Sequence, residues 1–520
     1  MRAGVLAAAI FLMSIYPSVQ VHSVPLTMAQ AVPALSPSRP DQVTNVAPSA
    51  MEQGNTFYRA GQYQEAVQAY TKAMENSPSD ANAPYARGLA YSKLGQYGQA
   101  IQDLGLSIQL NPLHSDAFFM RGVLFSRQEQ YERAIADLSR SGEIAPGRVE
   151  LYLERGFAYA ALKRHVDAVS DFTKVIELDR TSGGAYYGRG AARVELGRNK
   201  EAMEDLTSAI QANVPGANAY VLRARLYFAE KRYSEAQADC DKAIQIEPAN
   251  TGAYGVRADS LVELKRVGEG IKDYDKALQL KADQPELYYK RGMAREKLNE
   301  IDQAIQDYGL AIELRPYYSQ ALYQRGLLYQ RKGKFLPAVD DFSAAIIKGL
   351  RSSEVYYQRA LSYKGLKDYD LAMTDLGQAI EIDPKDVRPY YQRGLMQVEK
   401  GHYKEAIADY SAAINLAPTD VRMMVARAFA YTQSGLNEEA IGDYTKAIGV
   451  APENPLLYVA RGNIFSKKNE HDLAIVDFTR AIVMRPDDPL AYQARARSYS
   501  AKGDRERAGA DVRKAASLKE

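Results

Sequence analysis

Tryptophan is absent from the 520 residues, cysteine occurs once, and histidine only five times. With Cys240 as the sole thiol no intramolecular disulfide can form, so packing must hold the fold. Cys240 takes a repeat position filled elsewhere by Tyr, Phe or Leu and is expected to be a buried small hydrophobe. The same count excludes a lipid-bearing Leu-x-x-Cys leader. An excess of one charge is missing too: 66 basic residues face 64 acidic ones, a net +2 spread along the chain. No global field therefore draws nucleic acid or an anionic membrane. No Asn-x-Ser/Thr sequon occurs. His22, His114, His165, His402 and His471 stand far apart, none with a second ligand at metal spacing. Gly-x-Ser-x-Gly, Gly-x-x-x-x-Gly-Lys-Ser/Thr and His-Glu-x-x-His are all missing. Nothing calls for a cofactor, a metal or a catalytic centre, and the chain is expected not to be an enzyme.

A long apolar run occurs only at the start. Arg2 precedes an apolar stretch from Ala3 to Tyr16, closed by Pro17, in the layout of a secretory signal peptide. Thr27-Met28-Ala29 offers a cleavage site that makes residues 1–29 the signal; Val21-His22-Ser23 offers another. The stretch falls short of the roughly 20 residues that span a bilayer, and an uncleaved anchor is the alternative. Residues 30–46, with Pro33, Pro37 and Pro40 among Ser and Ala, read as a disordered linker. The expected location is the periplasm or the exterior, with membrane contact only if the segment stays uncleaved.

From Ala47 onward one 34-residue unit is written almost fourteen times without insertion, starting at 47, 81, 115, 149, 183, 217, 251, 285, 319, 353, 387, 421, 455 and 489. A fixed period of this length marks a solenoid, in which each unit buries its faces only against its neighbours. In the unit Pro455 to Asp488, Tyr458, Gly462 and Phe465 form one stripe of a first helix. Ala474, Phe478 and Ala481 form the matching stripe of a second, and Pro486 ends the pair. Position 8 of the unit is Gly or Ala in all fourteen copies; position 20 is Ala in thirteen, Gly270 being the exception. Small residues at both places let the two helices approach closely. Position 4 is most often Tyr, which needs a partner for its hydroxyl.

This aromatic-x-x-x-Gly-x-x-aromatic, Ala-x-x-x-aromatic-x-x-Ala, Pro layout resembles the tetratricopeptide repeat over residues 47–520. The resemblance implies an all-α solenoid of helix-turn-helix units, a right-handed superhelix whose concave groove holds peptide or protein segments. It departs from the commoner pattern in having Tyr for Trp at position 4 and Arg for Leu at position 7.

Arg fills position 7 in the second to fourteenth units, and Asp fills position 23 in the same thirteen. Examples are Arg87 with Asp103, Arg155 with Asp171, Arg325 with Asp341 and Arg461 with Asp477. Charges beside a core must be paired, and the first unit loses both together, as Gln53 and Ala69. The joint loss predicts a structural ladder paired within each unit.

On the first helix, positions 4, 8 and 11 are expected to point inward, leaving positions 2, 5, 9, 12 and 13 on the far side. The resemblance makes that side the groove. The candidate peptide-binding residues are Tyr289, Lys290, Met293, Tyr323, Gln324, Leu327, Tyr357, Gln358, Leu361, Tyr391, Gln392 and Leu395. The family's clamp for C-terminal carboxylates needs Lys and Asn across consecutive units on this face; here Asn55 and Asn463 are isolated. The reading is a non-catalytic scaffold for protein or peptide partners. The alternatives are a structural assembly or secretion factor of an envelope complex, and a regulatory subunit of a separately encoded enzyme. Self-association through apolar surface stays open.

Overall fold

The computed structural model describes residues 48–518; the expected signal segment and the whole of the linker lie outside them. Those described residues hold twenty-eight helices and no strand. The helices come in antiparallel pairs that repeat every 34 residues, as in Val149–Ala161 with His165–Leu178 and Pro455–Lys467 with His471–Met484. Two compact units divide the chain, one ending at Leu298 and the other beginning at Asn299. Among the described residues no helix is long and apolar enough to cross a membrane.

Local chemistry sets the helix ends. Second helices mostly stop at position 30, two residues before the proline of position 32, whose ring cannot continue a helix. Asp386, Asp420, Asn454 and Asp488 then cap the following first helix, each accepting a backbone N–H with its side chain. The tight turn within each pair passes through the left-handed region at position 15. Glycine takes that residue easily at Gly61 and Gly401, but Lys163, Lys231 and Asn299 adopt it as well. The hydroxyls of Tyr152, Tyr390 and Tyr458, all at position 4, donate to the carbonyls of Pro146, Pro384 and Pro452 six residues earlier. Each of these tyrosines thereby fastens the turn between consecutive repeats.

Position 8 packs directly on the position-24 side chain of the same repeat. A Cβ built on Gly156, Gly326 or Gly462 would stand 2.8 Å from the ring of Phe172, Phe342 or Phe478. Wherever position 24 is Phe, position 8 is Gly. Position 20 is fully buried at Ala66, Ala168 and Ala474. The inward face of the first helix is wider than positions 4, 8 and 11. From the second repeat on, position 3 is buried, from Ala83 and Leu151 to Val355 and Ala491, and so is position 10, from Ala90 to Met396 and Ser498. A first helix touches its own second helix, the preceding second helix and the neighbouring first helices. Three contact directions need an apolar arc broader than one stripe. Cys240 is completely buried among Ala224, Ala236 and Val256, and burial pushes its thiol pKa far up.

Candidate functional site

The conspicuous charges are internally satisfied. Arg155 Nε and Nη2 donate to the two carboxylate oxygens of Asp171, both at 2.8 Å, and its Nη1 reaches back to Ser139 Oγ at 3.1 Å. Ser139 belongs to the preceding repeat, at position 25. The same three-way grip recurs at Arg87 with Asp103 and Thr71, and at Arg461 with Asp477 and Thr445. Arg325 holds Asp341 with two nitrogens, but its backward neighbour is Gly309, which offers no side-chain atom. Several of these guanidinium groups also lie against rings of their own helix, Arg155 between Tyr152 and Tyr159 at 5.5 and 5.8 Å. The bond to Asp171 raises the Arg155 pKa, holding the guanidinium charged. A bidentate, ring-flanked ion pair of this kind fixes helix register. Its groups are already engaged.

The first-helix candidates do not form one open surface. Tyr289 and Tyr357 are buried, and Tyr323 and Tyr391 are half-buried, their rings 5.8 and 6.0 Å from those of Phe342 and Tyr410. Position 5 is thus largely packing between adjacent helices. The guanidinium of Arg388 covers Tyr357 at 4.8 Å. Burial pushes the Tyr323 hydroxyl up to about 12.

Lys290 is committed to Asp259 of the preceding repeat at 2.6 Å. Gln358 donates to Glu354, and Gln392 accepts from Lys364. Gln324, Leu327, Leu361 and Leu395 are half-buried. What stays open is position 9 further along: Met293 of the eighth repeat is 40 % exposed, and Phe429 of the twelfth 45 %. Toward the start of the chain the same position is closed, at Leu89, Val123 and Phe157.

A register rule orders this face. Position 12 of one repeat lies over positions 6 and 10 of the next: Gln330 Nε2 donates to the Gln358 carbonyl at 2.9 Å and to Ser362 Oγ at 3.0 Å, and Ser466 meets Ser498 at 3.2 Å. Among the described residues no group of three His, Cys, Asp or Glu side chains is placed to hold a metal ion.

Models described as tetratricopeptide repeat match residues 85–149 and 187–251, residues 149–182, 285–318, 387–420 and 421–454, and residues 353–386. A model described as TPR repeat matches 54–95. The chain is built of tetratricopeptide repeats. No curated protein sequence matches it. Solved structures similar to it include the APC/C hetero-tetramer Cut9-Hcn1, at 15 % identity over 86 % of this chain and 95 % of that one, with a TM-score of 0.34. YrrB, described as a TPR protein with an unusual peptide-binding site, is 23 % identical over 36 % of this chain and 97 % of its own, with a TM-score of 0.34. Yeast Tom70 is 19 % identical over 81 % and 95 %, with a TM-score of 0.31.

In these tetratricopeptide repeats the constant positions 7, 8, 20 and 23 make the frame. Positions 6 and 9 change chemistry from repeat to repeat. Position 6 alone runs through Met120, Glu154, Gly188, Leu222, Lys290 and Gln392. Only two acids stand at this position, Glu52 and Glu154, and the periodicity that marks the frame does not single them out. Glu52 closes the capping box of the first described helix.

Proposed function

We propose that the chain is an exported, non-catalytic scaffold that holds protein segments against its first-helix faces. The observation that carries this reading is the contrast between frame and face: twelve rungs of the ladder are paired within their own repeat, from Arg87 with Asp103 to Arg495 with Asp511, while positions 6 and 9 vary on a fixed spacing. A constant frame with a variable, partly open face presents different groups at regular intervals along an extended partner. The tetratricopeptide family is in keeping with such a role, and the Arg2 to Pro17 layout supports export. Capture by crosslinking from envelope fractions, with the wild type beside a Met293→Asp/Phe429→Asp variant, tests it. Partners lost from a variant of unchanged helicity are expected; partners retained in full would overturn first-helix binding. Tyr323 and Tyr357 are poor probes, because truncating packed rings lowers stability as well.

A second reading has its own observation. Leu473, Val476 and Val483 lie along one side of the helix His471–Met484 and are 49, 65 and 68 % exposed. Exposed apolar side chains in line mark an interaction surface, which favours a strut in an envelope assembly joined through second helices. Loss of partners on Val476→Asp, with none lost on the Met293/Phe429 change, would establish it.

A further inference from the structure

Glu154 stands at position 6 of the helix Val149–Ala161, half-buried, with no hydrogen bond and no ion pair among the described residues. Phe157 and Ala158, one turn further along the same helix, are buried. Burial pushes its carboxyl up to about 7, against a weaker opposite pull from Arg127. The register seen at Gln330 and Gln358, and again at Lys364 and Gln392, is a step of 28 residues. The same step places Ser126 across from Glu154. Ser126 Oγ is closed off from solvent and has no hydrogen-bond partner. Neither group has a hydrogen-bond partner among the described residues, and of the two only the serine oxygen is closed to solvent. At the equivalent sites Lys290, Gln358 and Gln392 are bonded to neighbours. Arg127, on the last turn of the preceding first helix, is exposed and makes no ion pair among the described residues.

A desolvated carboxylate without a partner is costly, and a cation brought from outside relieves that cost. We propose that Glu154, with Ser126 beside it, is the subsite that takes a basic side chain, lysine or arginine, from a bound protein segment. The charged head of such a residue meets the carboxylate while its methylene stem lies along the helix surface. The assignment rests on the reading of the first-helix face as the binding face and names one chemical requirement of the partner.

The test is selection of a random nine-residue peptide library on the full chain, wild type against Glu154→Gln. The expected result is enrichment of Lys or Arg at one fixed place. A selected peptide should then lose roughly tenfold or more in affinity for the Gln variant, the scale of a charge-assisted hydrogen bond. Replacing its basic residue by norleucine should weaken binding to the wild type by the same factor and leave binding to Glu154→Gln unchanged. Arg127→Ala, which removes a competing cation, should strengthen binding. Peptides without a common basic residue, or affinities indifferent to Glu154→Gln, would overturn the subsite and leave segment binding standing. No enrichment on the wild type would overturn both.

Discussion

Nη1 of Arg121 lies 3.5 Å from the point where a Cβ on Gly105 would stand. At Arg325 with Gly309 and at Arg393 with Gly377 the spacing is 3.6 Å. In other repeats a Ser, Thr or Asp at position 25 bonds that nitrogen, as Thr173 does for Arg189 and Asp241 for Arg257. The three glycines leave the rung one bond short.

Gly105→Ser should therefore raise stability by about 1 kcal/mol, from better helix propensity and a new hydrogen bond to a charged donor. Gly105→Ala separates the two, since it supplies propensity alone. Urea midpoints of the three proteins check the order, and a Ser variant no better than wild type would show that Nη1 gains nothing from a hydroxyl.

The ladder can be broken from either side. Asp171→Ala leaves a mostly buried guanidinium with only Ser139, and should lower stability by about 2–4 kcal/mol. Arg155→Met combined with Asp171→Leu should lose much less than the sum of the two single changes. A double-mutant cycle on denaturation midpoints reads the coupling, and additive losses would mean the pair holds no register.

Glycines in helices separate by their neighbours. Gly462→Ala drives a methyl into Phe478 and should cost about 1–3 kcal/mol. Gly449→Ala, with nothing within 4 Å, should gain about 0.5–1 kcal/mol. Thermal melts of the two variants should shift in opposite directions.

Glu154 links stability to pH. Its folded carboxyl titrates near 7, above the ordinary carboxylate value of 4.5, so the folded chain holds an extra proton between those limits. Stability from this group is thus highest below pH 4.5 and falls as pH rises to 7. Glu154→Gln should melt higher than wild type at pH 8, by about 1–2 kcal/mol, and level with it near pH 4.5. Equal melting at both pH values would place the carboxyl in water.

Much of the frame was legible because it repeats: small residues at Gly462 and Ala474, and charges that vanish together at Gln53 and Ala69. The wide inward arc was not. Ala117, Ala185 and Ala321 at position 3 are fully buried, yet alanine carries little hydrophobic signal. Tyr357 looks amphipathic in sequence, but Arg388, which covers its ring, comes from the first helix of the next repeat. Glu154 was invisible for another reason: its significance is the lack of a partner, which no periodicity records.

The joint between the second and third repeats illustrates what uneven bonding does. Gly105 withholds the backward hydrogen bond there, and Gln128 stands where Lys332, Lys400 and Lys468 tie later repeats to an acidic residue. What joins it is the apolar cluster of Tyr85, Leu89, Phe119, Met120 and Phe125. Apolar contacts weaken on cooling, whereas hydrogen bonds and ion pairs do not share that loss. This joint is therefore expected to loosen on cooling before the joints at Lys332, Lys400 and Lys468, which carry a polar tie as well.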